Sequence, residues 1–344
     1  MGTISLSDFK EVRIPAPWGQ ISGRWYGNRT ERPILAIHGW LDNLGTFDRL
    51  IPLLPDYIGV LCIDLPGHGR SAHLQQGMRY AVYDYMYVIP RVMKEYGWST
   101  VSLMGHSLGG ILSFIYTALA PHIVDMVISL DILMPWEPDS KTVLQNLANS
   151  MEKHLVEEDR QEKGNMHEPP SYTLAELTKV LAKGSYNSVA PEFAKHLLHR
   201  QVLRSQLYPD RFYFSRDGRV KYYNQMLMQS EVPEGLVKLI RRKPYLIIKG
   251  SNSPFLGADT EKAIAILRRN NPHFEFYELE GTHHVHLHAA EECARYIVPF
   301  IRHHRPPALT SWSLSGKEQQ LSAEENRRQL EKFYKRGNTE GSKL

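Results

Sequence analysis

The sequence contains only two cysteines, Cys62 and Cys293. Two cysteines cannot form a disulfide framework, which excludes the small disulfide-stabilised secreted domains. Cys62 lies in an apolar, strand-like run and Cys293 in a helix-like one. We therefore expect both to be buried free thiols of a protein that resides in a reducing compartment.

The charge and hydropathy patterns typical of nucleic-acid-binding and membrane proteins are also lacking. The 41 basic and 37 acidic residues leave a formal net charge of +4 without any dense block of lysine or arginine, so a nucleic-acid partner has little support. No apolar run approaches the ~20 residues that a membrane span requires. The N-terminal residues match neither a signal peptide nor a myristoylation pattern. We expect a soluble intracellular protein with no membrane span.

Short apolar runs alternate with helical stretches along most of the chain. Runs of this kind are typical of parallel strands buried on both faces, and they lie at 34–37, 60–63, 101–104, 126–130, 245–248 and 274–279. Stretches of helical length and spacing lie at 80–96, 108–119, 259–270 and 288–304. The alternation predicts an α/β fold with a mostly parallel sheet and helices on both faces. Two β-like runs, 9–14 and 20–26, predict a hairpin before it.

The segment between residues 133 and 243 interrupts this alternation, because it is charged and rich in helical patterns. We predict an inserted helical cap over residues 133–243, with the α/β core formed by residues 1–132 and 244–306. A pair of surface helices with no role in substrate choice is the alternative. Residues 307–344 are predicted to form a polar C-terminal extension.

The segment Gly105-His-Ser-Leu-Gly109 matches the pattern G-x-S-x-G. It follows a strand-like run and opens a helical stretch, which is the context in which such a serine is a nucleophile. Small residues are needed on both sides because the strand and the helix approach closely at a strained turn. The motif predicts that Ser107 is a nucleophile, against the alternative of a glycine-rich turn with an idle serine.

A serine hydroxyl is a weak nucleophile at neutral pH and needs a base within hydrogen-bond reach. The segment 280–286 follows the last strand-like run, where a loop can place an imidazole over Ser107. We predict that His283 is the base because it directly follows a Gly-x turn, with His284 and His286 as alternatives. A histidine cluster also suggests a metal, but no neighbouring cysteine or carboxylate completes a ligand set at familiar spacing. We therefore predict no metal and no cofactor.

A carboxylate is expected to orient the imidazole and to stabilise its positively charged form. Asp131 ends the strand-like run 126–130 and is the preferred candidate. Asp259, in the loop after the next strand, is the alternative, and a site without a working acid is the third possibility.

The oxyanion that forms during acyl transfer needs preorganised N–H donors. We predict the backbone N–H groups of Leu108, at the start of a helix, and of Trp40, in the loop after the run 34–37. His38 and His106 flank these turns and are predicted to be structural hydrogen-bonding residues. Asp64 is predicted to accept hydrogen bonds from backbone donors of its own turn.

Together these motifs resemble the α/β-hydrolase superfamily and, at closer range, the kraken-like members of the serine-hydrolase-like proteins. The resemblance covers residues 12–304 and rests on Pro17-Trp-Gly19, His38-Gly-Trp-Leu-Asp-Asn43, 47–55, 64–71, 105–109 and Gly281-x-His283. It implies the α/β-hydrolase fold, a helical cap, no cofactor and a Ser107-Asp131-His283 triad in the chain order of that fold. One position departs from the superfamily pattern, because Ser253 stands where many relatives carry the acid.

These residues predict a serine hydrolase that cleaves carboxylic ester bonds of a small molecule through an acyl-enzyme. An acyl-CoA thioesterase is a second reading, in which Arg211, Arg216 and Arg219 could meet an anionic head group. A binding protein or pseudoenzyme of the same fold is the rival from another class, and a missing triad acid would favour it.

The sequence given ends in Ser342-Lys343-Leu344. This tripeptide is the C-terminal address that peroxisomal import receptors recognise. We therefore expect such a receptor as a partner and a peroxisomal location, with a cytoplasmic location as the alternative.

Overall fold

A computed structural model describes residues 2–135, 139–162, 168–222 and 231–307. The predictions for the polar extension, including the tripeptide Ser342-Lys343-Leu344, fall on residues 308–344 and lie outside the described part of the chain.

All eight predicted strands join one sheet, in the order β1-β2-β4-β3-β5-β6-β9-β10. These strands are β1 (Phe9–Ala16), β2 (Gly19–Tyr26), β3 (Ile34–Ile37), β4 (Val60–Ile63), β5 (Val101–His106), β6 (Val124–Leu130), β9 (Tyr245–Gly250) and β10 (Phe274–Leu279). The strands from β4 to β10 in that order are parallel, and the β1–β2 hairpin adds to β4 in antiparallel fashion. The predicted α/β-hydrolase fold is confirmed.

The central strands are apolar on both faces because the sheet lies between two hydrophobic layers. Successive residues of β3 belong to two different buried clusters: Leu35 and Ile37 to one, Ile34 and Ala36 to the other. Side chains alternate between the faces of a strand, so each cluster covers one face. Cys62 and Cys293 are both buried free thiols, as predicted.

Helices follow the strands and complete the two layers. They are α1 (Val82–Met86), α2 (Val88–Tyr96), α3 (Leu108–Leu119), α4 (Ser140–Glu162), α5 (Leu174–Gly184), α6 (Ala194–Gln201), α7 (Glu231–Leu239), α8 (Ala258–Asn270), α9 (Val285–His288) and α10 (Ala290–His304). Among the described residues, none of these helices is both long enough and apolar enough to cross a membrane.

Helices α4 to α7 lie between β6 and β9 in the chain, within the segment predicted to be a cap. The segment also contains a small antiparallel pair, β7 (Val202–Arg204) and β8 (Phe212–Phe214), which the sequence pattern did not predict. The domain boundaries themselves remain predictions.

The helix predicted over residues 80–96 is divided in two, and that prediction was wrong in this respect. Helix α1 ends at Met86 and α2 begins at Val88. Pro90 lacks the N–H that would bond to the carbonyl of Met86 in a continuous helix, and its ring crowds that carbonyl.

Candidate active site

Ser107 lies at the sharp turn between strand β5 and helix α3. Its φ of 50° and ψ of −116° fall in a region that non-glycine residues rarely adopt. The backbone is held there from both sides, since the N–H of Ser107 donates to the carbonyl of Leu130 and its carbonyl accepts from Ile111. Strain of this kind persists where the surrounding structure enforces it, commonly at functional sites.

The glycines of the motif permit the close approach that this turn requires. A Cβ on Gly109 would lie 2.0 Å from the carbonyl oxygen of Ile37, and one on Gly105 would lie 2.4 Å from the backbone of Gly109. Any side chain at these positions would push α3 away from β3 and β5. The small residues are therefore a packing requirement of the turn that presents Ser107.

The loop after β3 lies directly beside this turn. A Cβ on Gly39 would lie 3.1 Å from Cβ of Ser107, and the N–H of Gly109 donates to the carbonyl of His38. Trp40 follows in this loop, and its indole Nε1 donates to the carbonyl of Val220. The N–H of Leu108 occupies the first position of α3, where helical N–H groups have no intrahelical acceptor. Both predicted oxyanion donors thus belong to segments that flank Ser107.

Asp131 and His283 form a short hydrogen bond, with 2.6 Å between Oδ2 and Nδ1. Asp131 directly follows β6 with a φ of 57°, and its carboxylate is fully buried. Oδ1 accepts from the N–H of Gly250, which fixes the carboxylate against the end of β9. The structure therefore brings together the acid and the imidazole that the sequence paired.

Ser253 completes the surroundings of this carboxylate, since its hydroxyl donates to Oδ2 of Asp131. The position at which many superfamily members carry the acid thus contacts the carboxylate of Asp131. Asp259 lies in the first turn of α8, and its side chain is outside the described part.

Burial lowers the tendency of both partners to carry charge. It raises the pKa of Asp131 to about 7, although hydrogen bonds from Ser253 and Gly250 oppose the shift. Burial also holds the pKa of His283 well below its ordinary value. A neutral imidazole is the form that can accept a proton, so His283 is in the state required of a base at neutral pH.

His283 and Ser107 lie on adjacent loops. His106, which precedes Ser107, donates from Nε2 to the carbonyl of His283 at 3.0 Å. Within the described residues, Ser107 Oγ and the His283 ring do not form a hydrogen bond. Contacts of this kind are often long in a free enzyme and tighten when substrate binds.

The two alternative bases, His284 and His286, are buried and contact other hydroxyl groups. Nδ1 of His284 is 2.7 Å from the Ser188 hydroxyl, and Nε2 of His286 is 2.9 Å from the Thr46 hydroxyl. Of the three histidines, His283 is the one that contacts Asp131.

The residues predicted to be structural form the expected contacts. Nε2 of His38 accepts from the N–H of Leu65. Asp64 accepts from the backbone of Leu44 and Arg70. Its additional bond from the guanidinium of Arg200, at 2.7 Å, could not be inferred from the local turn pattern.

Two of the three arginines considered for an anionic head group, Arg219 and Arg211, are engaged within the protein, whereas Nε of Arg216 is buried without a hydrogen-bond partner among the described residues. Arg219 pairs with Asp217 and donates to carbonyls of the loop 74–78. Arg216 is stacked over the ring of Phe214 at 4.0 Å. Arg211 donates to the carbonyl of Ser171.

A family model described as the alpha/beta hydrolase fold matches residues 32–289. The chain belongs to the alpha/beta hydrolase family. It is 34% identical over 300 residues to a Drosophila melanogaster protein named "Probable serine hydrolase", covering 86% of this chain and 88% of that one. It is 30% identical over 305 residues to a serine hydrolase-like protein of Danio rerio, covering 88% of this chain and 91% of the relative.

A solved structure shows a similar architecture. The crystal structure of a hypothetical protein from Pseudomonas aeruginosa superimposes with a TM-score of 0.70 at 26% identity, covering 85% of this chain and 99% of that chain. The resemblance inferred from the motifs is confirmed at the level of the family and of the serine hydrolase-like group.

Proposed function

We propose that this hydrolase cleaves carboxylic ester bonds through an acyl-enzyme, with Ser107, Asp131 and His283 as its triad. The observation that carries the proposal is the 2.6 Å bond between Asp131 and His283. It lies at the same edge of the sheet as the strained turn of Ser107. In parallel sheets, the carboxyl ends of the strands are where catalytic groups converge.

The first step transfers the proton of the Ser107 hydroxyl to Nε2 of His283 as Oγ attacks the carbonyl carbon of the ester. Asp131 keeps the proton on Nδ1, so that the free lone pair of the ring is on Nε2. The carbonyl π electrons move to oxygen, and the resulting oxyanion is placed near the N–H groups of Leu108 and Trp40. Fixed donors of this kind stabilise the negative charge as it develops.

The second step breaks the bond between the carbonyl carbon and the alcohol oxygen. The imidazolium of His283 returns its proton to the departing alcohol, and the acyl group remains on Ser107. A water molecule then attacks the acyl-enzyme, with His283 removing its proton, and the carboxylic acid is released. The net reaction consumes one water and needs no cofactor.

The names of the relatives support hydrolysis by a serine nucleophile, and the same triad could form an acyl-enzyme from an ester or from a thioester. The anionic substrate of a thioesterase has less support from this chain, because Arg219 is already neutralised by Asp217 and buried. An acyl-CoA substrate therefore needs cations other than Arg219.

Labelling with a fluorophosphonate tests the nucleophile. We expect one adduct per chain, located on Ser107 by mass spectrometry. Ser107→Ala should abolish labelling and ester hydrolysis while leaving the melting temperature within a few degrees. Ser251→Ala is the matched control, since Ser251 is an exposed serine in the loop after β9, and it should label normally. An adduct on another residue would overturn the assignment.

A substrate panel tests the bond type. Esters of short and medium acyl chains should be hydrolysed in a Ser107-dependent manner and more efficiently than acyl-CoA thioesters. A preference for acyl-CoA would establish the thioesterase reading instead. Labelling without turnover of either class would favour the non-catalytic reading.

We also propose import into peroxisomes by a receptor that binds Ser342-Lys343-Leu344. The support is the tripeptide itself, which matches the recognised address.

A further inference from the structure

A second polar cluster is buried next to the proposed triad. It consists of Asp42, His106 and His284, which are 5%, 1% and 7% exposed. The residues lie at the same edge of the sheet: Asp42 in the loop after β3, His106 at the end of β5 and His284 in the segment after β10. One oxygen of Asp42 and one ring nitrogen of each histidine lie within 4.8 Å of one another.

The hydrogen bond of His106 shows which of its two ring nitrogens carries the proton. The other nitrogen then has a lone pair that is directed at this cluster. Its Nε2 is 3.0 Å from the carbonyl oxygen of His283. A carbonyl oxygen can only accept, so Nε2 carries the proton. In a neutral ring, Nδ1 then presents a lone pair to the carboxylate of Asp42, whose Oδ2 is 3.5 Å away. Two acceptors that face each other in a buried site require a cation or a proton between them.

The other two atoms of the cluster can also act as ligands, Nε2 of His284 when the ring proton is on Nδ1 and is donated to Ser188. Oδ1 of Asp42 accepts from the N–H of Asn43, whereas Oδ2 has no hydrogen-bond partner among the described residues. Nε2 of His284 lies 3.6 Å from this same oxygen. Its other nitrogen, Nδ1, contacts the Ser188 hydroxyl at 2.7 Å. Nδ1 of His106 also lacks a hydrogen-bond partner in the described part of the chain.

Two of the three separations in this cluster are close to the edge of a tetrahedron around a transition-metal ion, and the third is no more than 4.8 Å. Zinc binds histidine nitrogens and carboxylate oxygens at about 2.0–2.2 Å, which places adjacent tetrahedral ligands roughly 3.4 Å apart. The measured separations from Oδ2 of Asp42 are 3.5 Å to His106 and 3.6 Å to His284. Small movements of the side chains would bring all three atoms into bonding distance.

We propose that Asp42, His106 and His284 form a binding site for a divalent transition-metal ion of the Zn²⁺ class. The ligand atoms are Oδ2 of Asp42, Nδ1 of His106 and Nε2 of His284, with a solvent molecule in the fourth position. The outer contacts agree with this assignment. Metal-binding histidines usually donate their other N–H to a carbonyl or another polar group, as His106 does to His283 and as His284 can to Ser188.

The position of the site suggests what the metal would do. Asp42 lies two residues after Trp40, His106 directly precedes Ser107, and His284 directly follows His283. A bound ion would therefore join the three loops that carry the oxyanion donor, the nucleophile and the base. We expect it to stabilise the fold and to fix the relative positions of these loops.

The competing arrangement is an ion pair in which His106 takes up a second proton and donates to Asp42. Both arrangements would neutralise the carboxylate, but they differ in one measurable respect. The ion pair does not bind zinc, whereas the proposed metal site does. This makes zinc uptake by the full chain the deciding measurement.

The test uses the full chain after dialysis against a chelator and then against metal-free buffer. Zn²⁺ is titrated in competition with a chromophoric chelator, and bound zinc is counted by mass spectrometry after gel filtration. We expect one zinc per chain and a higher melting temperature when zinc is bound. Asp42→Asn and His284→Gln should each weaken binding by at least about 100-fold. Ser188→Ala, which removes an outer contact, should weaken it by about 10–100-fold.

His73→Gln is the matched control, because His73 is half exposed and lies away from the cluster. It should bind zinc as the wild type does. Circular dichroism of each variant without metal shows whether the fold is retained. Absence of stoichiometric zinc uptake by the wild-type chain would overturn the proposal without reference to any variant. Equal uptake by the wild type and by a folded His284→Gln variant would overturn it as well.

Discussion

Ser253 stands where many superfamily members carry an acid, and the contact that it makes instead is with Asp131. Its hydroxyl donates to Oδ2 of Asp131, the oxygen that also accepts from His283. A carboxylate at 253 would instead face Asp131 with like charge and raise the pKa of one of the two groups. The two positions are thus complementary: the acid stands after β6, and a hydroxyl donor stands after β9.

The role of Asp131 leads to a prediction about turnover. Asp131→Asn should lower kcat for ester hydrolysis by about 10⁴-fold, because an amide no longer favours the tautomer with the proton on Nδ1 of His283. The measurement is steady-state kinetics on the best ester of the panel. Asp259→Asn is the control and should retain turnover within a few-fold. The reverse outcome would transfer the role to Asp259.

The contact between Asp131 and His283, beside the turn of Ser107, could be anticipated because each of the three residues follows a recognisable strand within a few residues. The pattern of a strand followed by a turn is local, and the carboxyl ends of parallel strands meet at one edge. The cluster of Asp42, His106 and His284 could not be predicted in this way, since the three residues are far apart in the sequence and no ligand spacing connects them. The same is true of Ser253, whose relation to Asp131 depends on the pairing of β6 with β9.

At the scale of elements, Arg200 connects helix α6 to the sheet. Its guanidinium is buried and donates to Asp64 at 2.7 Å, to Glu11 and to the Ser22 hydroxyl. Asp64 is itself fully buried. Removal of the arginine would therefore leave a buried carboxylate without its counter-ion.

Arg200→Gln should destabilise the protein by about 3–5 kcal/mol, because the carboxylate of Asp64 would remain buried without its counter-ion. The measurement is the free energy of unfolding in urea. Lys195→Gln provides the control on the same helix, since Lys195 is exposed, and it should change stability by no more than about 0.5 kcal/mol. Equal stabilities of the two variants would refute this role.

Asp217 and Arg219 form a second buried ion pair, which connects their segment to the loop 74–78. The contribution of this ion pair to stability should depend on pH. Burial opposes ionisation of Asp217, but the hydrogen bonds from Arg219 hold its pKa below the ordinary value. Such a group contributes stability that is present above the unfolded-state pKa of about 3.9 and is lost as pH falls through the folded-state pKa.

Asp217→Asn should therefore lower stability at neutral pH and flatten the dependence of stability on pH below about 4. Urea unfolding between pH 3 and 7 measures both effects. Asp210→Asn is the control, because Asp210 is exposed. A wild-type pH dependence in Asp217→Asn would contradict the assignment.

Elements with a long apolar or amphipathic pattern could be predicted from the sequence, whereas short or interrupted ones could not. The strands of the parallel sheet were predicted because two faces of buried residues leave a continuous apolar run. Strands β7 and β8 each comprise three residues, too few to establish a period. The break before Pro90 was missed because the hydrophobic spacing continues across it.

At the scale of the whole molecule, the parallel strand order explains why residues from the entire chain meet at one edge. Strands β3, β5, β6, β9 and β10 end side by side, and the loops that follow them carry Trp40, Ser107, Asp131, Ser253 and His283. The sheet thus acts as a rigid support, and the chemistry depends on the loops that follow its strands.

Peroxisomal import would decide where the whole molecule is found in the cell. Import receptors of peroxisomes recognise a free C-terminal Ser-Lys-Leu, which is how the sequence given ends. The protein tagged at its N-terminus should co-localise with a peroxisomal marker in punctate structures. Deletion of residues 342–344 should make the distribution diffuse, because the carboxylate, the lysine charge and the leucine side chain are lost together. A Thr339→Ala variant leaves the tripeptide intact and should remain punctate. Identical diffuse distributions of the tagged protein and the deletion variant would contradict peroxisomal import.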